Sequence, residues 1–187
     1  MVEENQPVDR DTGQRKATPA IDRRLVELIN KGAKLLRLGR AREAIPLLEQ
    51  ALALDGDDVS AAINLGGAYI MTGRHRLAVP ILEKACTQEP CNVMIWINLG
   101  AAYLDRPPYD TPEGQEKAIR AFEHALELDP MAPSVSYNLG LIYKDRGDIA
   151  KALVYFQRTI QTDPYDRDAR YWHDRLAGAK SDSQMGE

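Results

Sequence analysis

The feature that most constrains this chain is self-similarity at a fixed spacing. The segment INLGGAY at 63–69 returns as INLGAAY at 97–103, a step of 34 residues. YNLGLIY follows at 137–143 after a step of 40, and a weaker copy, INKGAKL, stands at 29–35. Each copy is followed by a second signature: AIPLLEQAL at 44–52, AVPILEKAC at 78–86, AIRAFEHAL at 118–126 and ALVYFQRTI at 152–160. A period of this size marks an array of supersecondary units, each of which needs its neighbours to bury its apolar face.

Both halves of the unit read as helices. Trp96, Leu99, Gly100 and Tyr103 fall at i, i+3, i+4 and i+7, and Ala118, Phe122 and Ala125 share a face in the same way. Gly39, Gly73 and Gly147 lie between the halves, where a helix needs a stop. Asp55-Gly56, Pro90, Asp129-Pro130 and Asp163-Pro164 punctuate the end of each unit. The unit is therefore helix, tight turn, helix, turn. Gly32, Gly66, Gly100 and Gly140 sit inside the first helices, where each costs ~1 kcal/mol relative to Ala. Close helix approach is the expected compensation, with Ala44, Ala78, Ala118 and Ala152 as the facing residues.

The third unit, Trp96-x2-Leu99-Gly100-x2-Tyr103 with Ala118-x3-Phe122 and Pro130, resembles the tetratricopeptide repeat pattern at every marked position. The fourth unit has Ser136 for Trp and Thr159 for Ala, and the second has Ala62 for Trp and Leu82 for Phe. The first is degraded, with Leu28, Lys31, Leu35 and Gly56 at pattern positions. The resemblance implies an all-α solenoid of four helical hairpins, at 19–58, 59–92, 93–132 and 133–166. The third hairpin carries six extra residues within 105–114, DRPPYDTPEG, where Pro107, Pro108 and Pro112 stiffen the turn; this reads as a tolerated surface insertion or, alternatively, as a rigid projection with Tyr109 at its tip for contact. Thr111-Pro112 suits an N-cap and first helical residue. A closing helix is expected over 167–178, with Ala169, Trp172, His173 and Leu176 as its packing stripe. Segments 1–18 and 179–187 have little to bury and are expected to be disordered. The degraded first unit is expected to tolerate a larger residue at Gly32 better than the third tolerates one at Gly100.

No catalytic, metal or cofactor motif emerges. His75, His124 and His173 are far apart, and Cys86 and Cys91 supply two sulfurs where a tetrahedral zinc site needs four ligands. No glycine-rich phosphate loop or nucleophile elbow is present. A net charge of −4 argues against a surface that tracks phosphates, so no nucleic-acid partner is expected. No apolar run reaches the ~18 residues of a membrane span. The opening residues lack the apolar stretch of a secretory signal, and the cysteines form no disulfide framework, so a cytoplasmic setting is expected.

By family resemblance the first helices line a concave groove. Asparagine recurs on them as Asn30, Asn64, Asn98 and Asn138, preceded by Ile29, Ile63, Ile97 and Tyr137. One turn on come Ala33, Gly67, Ala101 and Leu141. An amide offers both donor and acceptor, so such a ladder suits the backbone of an extended peptide. The alternative is that asparagine is simply a common residue of the repeat. A carboxylate clamp of the kind that docks acidic chaperone tails is not expected. Ile29, Ala33, Met94 and Asn98 stand at four of its five sites and only Asn64 matches. The chain is thus read as a non-catalytic adaptor or scaffold that binds a polypeptide. The competing reading is a structural subunit that self-associates into a homo-oligomer.

Overall fold

The protein is represented by a computed structural model that describes residues 19–104, 111–132 and 134–184. The described residues are helical, with no strand among them: α1 (Pro19–Arg37), α2 (Ala41–Leu54), α3 (Val59–Met71), α4 (His75–Gln88), α5 (Val93–Tyr103), α6 (Pro112–Leu128), α7 (Val135–Asp145), α8 (Ile149–Thr162) and α9 (Arg167–Gln184). Consecutive pairs form four antiparallel hairpins, and α9 packs on α8. Gly39, Gly73 and Gly147 have φ of 71°, 73° and 78°, the left-handed turn that lets the chain reverse between the helices of units one, two and four.

Side chains that accept backbone N–H groups set the helix starts. Asp58 accepts from Ala61, Asn92 from Met94, Thr111 from Gly114 and Asp148 from Lys151. Thr111 is thus the N-cap and Pro112 opens α6, as the Thr-Pro pair predicts. Residues 105–110, including Pro107, Pro108 and Tyr109, lie outside the described residues, as do 1–18.

The start of α7 departs from the pattern. The position held by Asp58, Asn92 and Asp166 at the other inter-unit turns is held here by Ala132, which has no acceptor to offer. The helix begins late, at Val135, behind Ser134 in a left-handed conformation at φ 61°.

The interior glycines are explained, but not by the alanines. A Cβ on Gly32 would lie 2.6 Å from Leu48, and one on Gly66 would lie 2.7 Å from Leu82. On Gly100 it would meet the Phe122 ring at 2.6 Å, and on Gly140 the Phe156 ring at 2.8 Å. The residue facing each glycine is therefore the large one four positions beyond the expected alanine. The glycine makes a hole and the Leu or Phe fills it, so these side chains are among the most completely buried in the protein. Ala44, Ala78, Ala118 and Ala152 are fully buried, but they are not what crowds the glycines. The fit lies inside each hairpin. The gap at Gly32 is as narrow as that at Gly100, but the residue facing it is a leucine that can change rotamer rather than a rigid ring.

At the C-terminal end the stripe packs as expected. Ala169 is fully buried, Trp172 and Leu176 lie against the fourth unit's core, and Lys144 Nζ sits 4.5 Å from the centre of the Trp172 ring. The helix does not stop at 178 but runs to Gln184. Residues 179–184 are therefore helical, against the disordered tail expected for them. Ala177, Ala179 and Lys180 are all good helix formers, so the sequence does not stop the helix there.

Substitution at the glycines should rank by the stiffness of the facing residue. Gly100→Ala and Gly140→Ala push a backbone-anchored methyl into a rigid ring and should cost ~1–3 kcal/mol. Gly32→Ala and Gly66→Ala face leucines that can change rotamer, and a helix-propensity gain of ~1 kcal/mol offsets part of the strain. Urea melts of the four variants should place the phenylalanine-facing pair below the leucine-facing pair; equal losses would overturn the ranking.

Candidate peptide-binding groove

The first helices approach one another directly, α1 to α3 and α3 to α5, whereas no second helix has a comparable approach to another. A stack in which one set of helices is drawn together and the other splayed curves toward the first set. Asn30, Asn64 and Asn98 lie on these three helices and Asn138 on α7.

All twelve candidate residues reach the surface. Asn30 is exposed, and Asn64, Asn98, Asn138, Ile29, Ile63, Ile97, Tyr137, Ala33, Gly67, Ala101 and Leu141 are half-buried. Their apolar members lean on the core: Ile29 and Ile63 on the clusters of the first two units, and Ile97, Ala101, Tyr137 and Leu141 on that of the last two. None of the twelve carries a charge.

The asparagines are not equivalent. Asn64 Nδ2 donates to the Ser60 carbonyl in its own helix at 2.8 Å. Asn98 Nδ2 reaches across to the preceding unit and donates to the Ile63 carbonyl at 3.3 Å. A Cβ on Gly67 would lie 3.9 Å from that same nitrogen, an ordinary contact, so the crossing does not require a glycine there. Each of these two amides thus uses one donor within the stack and keeps a second N–H and the carbonyl oxygen. Asn30 and Asn138 form no side-chain hydrogen bond among the described residues.

Polar ties hold the units in register, and the sequence reading missed them. Tyr69 OH donates to Glu49 Oε1 at 2.6 Å, and Tyr103 OH repeats this on Glu83 at 2.8 Å. The signal was available, because Glu49 and Glu83 have the same 34-residue spacing as the two tyrosines. Burial, then the neighbouring carboxylate, pushes the Tyr69 hydroxyl up to about 12 and raises that of Tyr103 as well.

A second set of ties caps the turn carbonyls. Lys84 donates to the Gly56 carbonyl at 2.7 Å, Trp96 to that of Pro90 at 2.6 Å, Arg158 to that of Pro130 at 2.9 Å, and Arg170 to that of Pro164. Trp96 and Arg170 occupy the same repeat position, so the family tryptophan acts here as a hydrogen-bond donor. Where that position is Ala62 or Ser136, a cation on the second helix takes over.

The histidines and cysteines are not among the twelve candidate residues. His75 Nδ1 lies 3.2 Å from the Ala101 carbonyl, and the His124 ring packs edge-on against Trp96 at 4.4 Å. Cys86 and Cys91 are free thiols, and burial holds that of Cys86 up at about 11. No group of His, Cys, Asp or Glu suited to a metal ion occurs among the described residues, and no helix among them is long and apolar enough to cross a membrane.

Helical hairpins stacked unit on unit define a helical repeat protein. Profiles described as tetratricopeptide repeat match residues 35–85 and 133–166, and one described as TPR repeat matches 115–146. The chain belongs to the tetratricopeptide repeat family. A crystal structure of MamA is 25% identical, with 80% of this chain and 84% of that chain covered at a TM-score of 0.67. PilF of Pseudomonas aeruginosa is 21% identical over 87% of this chain and 72% of its own, at a TM-score of 0.72. TTC0263, a thermophilic TPR protein of Thermus thermophilus, is 19% identical over 83% of this chain and 82% of its own, at 0.69. No curated protein sequence matches the chain. The fold is that of a protein-interaction scaffold.

The tyrosine ties set a pH dependence. The folded state holds the Tyr69 proton to about 12 against an ordinary value of 10.0, so between these values it binds more protons than the unfolded chain. Stability should be intact below pH 10 and fall as pH rises toward 12. Tyr69→Phe should flatten that fall in denaturant melts across the window; an unchanged slope would show that Tyr69 does not titrate with folding.

Proposed function

We propose that the protein is a non-catalytic adaptor that holds an extended polypeptide segment along the face of the first helices, through Asn64 and Asn98 at its centre and the Ile63 and Ile97 stripe beside them. What supports this most is the chemistry of that face: twelve uncharged, partly exposed residues in which amides alternate with aliphatic and small side chains. Such a surface offers hydrogen bonds to peptide backbone and apolar contact to side chains. It gives a charged terminus nothing to pair with, which disfavours an acidic-tail receptor. The competing reading, a subunit that works by self-association, separates cleanly: light scattering at low concentration should give a monomer for the adaptor and a stable oligomer for the subunit.

A partner captured by affinity from native lysate can be titrated against variants. Asn64→Ala with Asn98→Ala should weaken binding at least tenfold, since each ~1.4 kcal/mol is a factor of ten. Ile63→Asp or Ile97→Asp should weaken it further by placing an unpaired charge on an apolar contact. Added salt should change affinity little. Asn98→Ala should also cost ~0.5–1.5 kcal/mol of stability, because it removes a bond between units. Undiminished binding by the double variant would eliminate the amide mechanism, and steep loss with salt would move the contact to a charged surface.

A further inference from the structure

A second site lies outside the groove, on the edge formed by the inter-unit turns. A cavity of about 300 Å³ opens between the turn before α7, the end of α8 and the turn before α9. It exists because of two departures from the repeat. Ala132 does not cap α7, the helix starts two residues late at Val135, and Ser134 is left-handed. In addition Ser136 occupies the position where the third unit has Trp96.

The lining has a definite chemistry. Ser136 faces the cavity, is only 7% exposed, and has no hydrogen-bond partner among the described residues. A buried hydroxyl left in that state costs free energy until something bonds to it. Asp163 and Asp166 contribute carboxylates, each with Oδ1 accepting a backbone N–H, from Tyr165 and from Ala169. Neither has an ion-pair partner among the described residues. No Lys, Arg or His lines the cavity; the nearby guanidiniums of Arg158 and Arg170 are held by the Pro130 and Pro164 carbonyls. Met131, in the lining, is 63% exposed.

We propose that this cavity receives a lysine or arginine side chain of a partner polypeptide. The aliphatic stem lies along Met131, the cationic head meets the carboxylates of Asp163 and Asp166, and a donor of that head bonds to the Ser136 oxygen. Two carboxylates with no resident cation favour positive charge, and the apolar Met131 favours a stem over a bare ion. The site is independent of the amide mechanism in the groove, although Tyr137 borders both.

The test uses the full chain, isotopically labelled, titrated by NMR with capped pentapeptides that place Lys, Arg, norleucine or Glu between glycines. The Lys and Arg peptides should give saturable shifts at Ser136, Thr162, Asp163 and Asp166 that weaken with salt, and the norleucine and Glu peptides should not. Asp163→Asn with Asp166→Asn keeps both backbone acceptors while removing the charge, and should weaken Lys binding at least tenfold. Ser136→Ala should weaken it roughly two- to tenfold, the value of one hydrogen bond. The proposal is overturned by absent shifts with the basic peptides, by equal binding of norleucine, or by a neutral double variant that binds as well as the parent. Unchanged spectra of the variants away from the cavity show that folding is not the cause.

Discussion

Everything in this structure depends on a hole and a plug. The first helix of each unit gives up a side chain at Gly32, Gly66, Gly100 or Gly140, and the second helix drives Leu48, Leu82, Phe122 or Phe156 into the gap. The arrangement gives up helix propensity four times and recovers it as dense packing, since a ring against a backbone leaves no void. It also fixes how near the two helices lie, and therefore where the remaining positions of each unit point.

Packing within the hairpins does not by itself fix how hairpins meet. That register is set by apolar packing of α2 on α3 and α4 on α5 together with directional bonds: Tyr69 to Glu49, Tyr103 to Glu83, the crossing amide of Asn98, and the donors that cap each turn carbonyl. The capping donors show how a repeat tolerates substitution. When tryptophan is lost at its position, the carbonyl still needs a partner, and Lys84 or Arg158 supplies it from a different helix. The chemical role persists while the residue and its address change.

The same logic produces the two surfaces of interest. Exposed or half-buried positions on the first helices carry the uncharged asparagines and the aliphatic residues beside them. Where the fourth unit fails to meet two repeat requirements, at Ala132 and Ser136, a cavity is left with an unsatisfied hydroxyl and two carboxylates at its edge. Regular positions build a surface that is the same along the stack, and irregular ones build a site that occurs once.

The sequence by itself determined the helical hairpins, their turns and the closing stripe of α9, because these follow from local periodicity and from glycine and proline chemistry. It also pointed to the interior glycines as places of close approach, but put the wrong neighbours against them. Spacing along one helix does not say which residue of the partner helix arrives opposite. Only the tertiary structure decided that Leu48 and Phe122 fill the glycine holes, that Asn98 spends a donor on the Ile63 carbonyl, and that Ser136 is left without a partner in a cavity. Each of these depends on how two or three separate helices are set against one another. That is fixed by the sum of packing and hydrogen bonding over the whole stack rather than by any one segment.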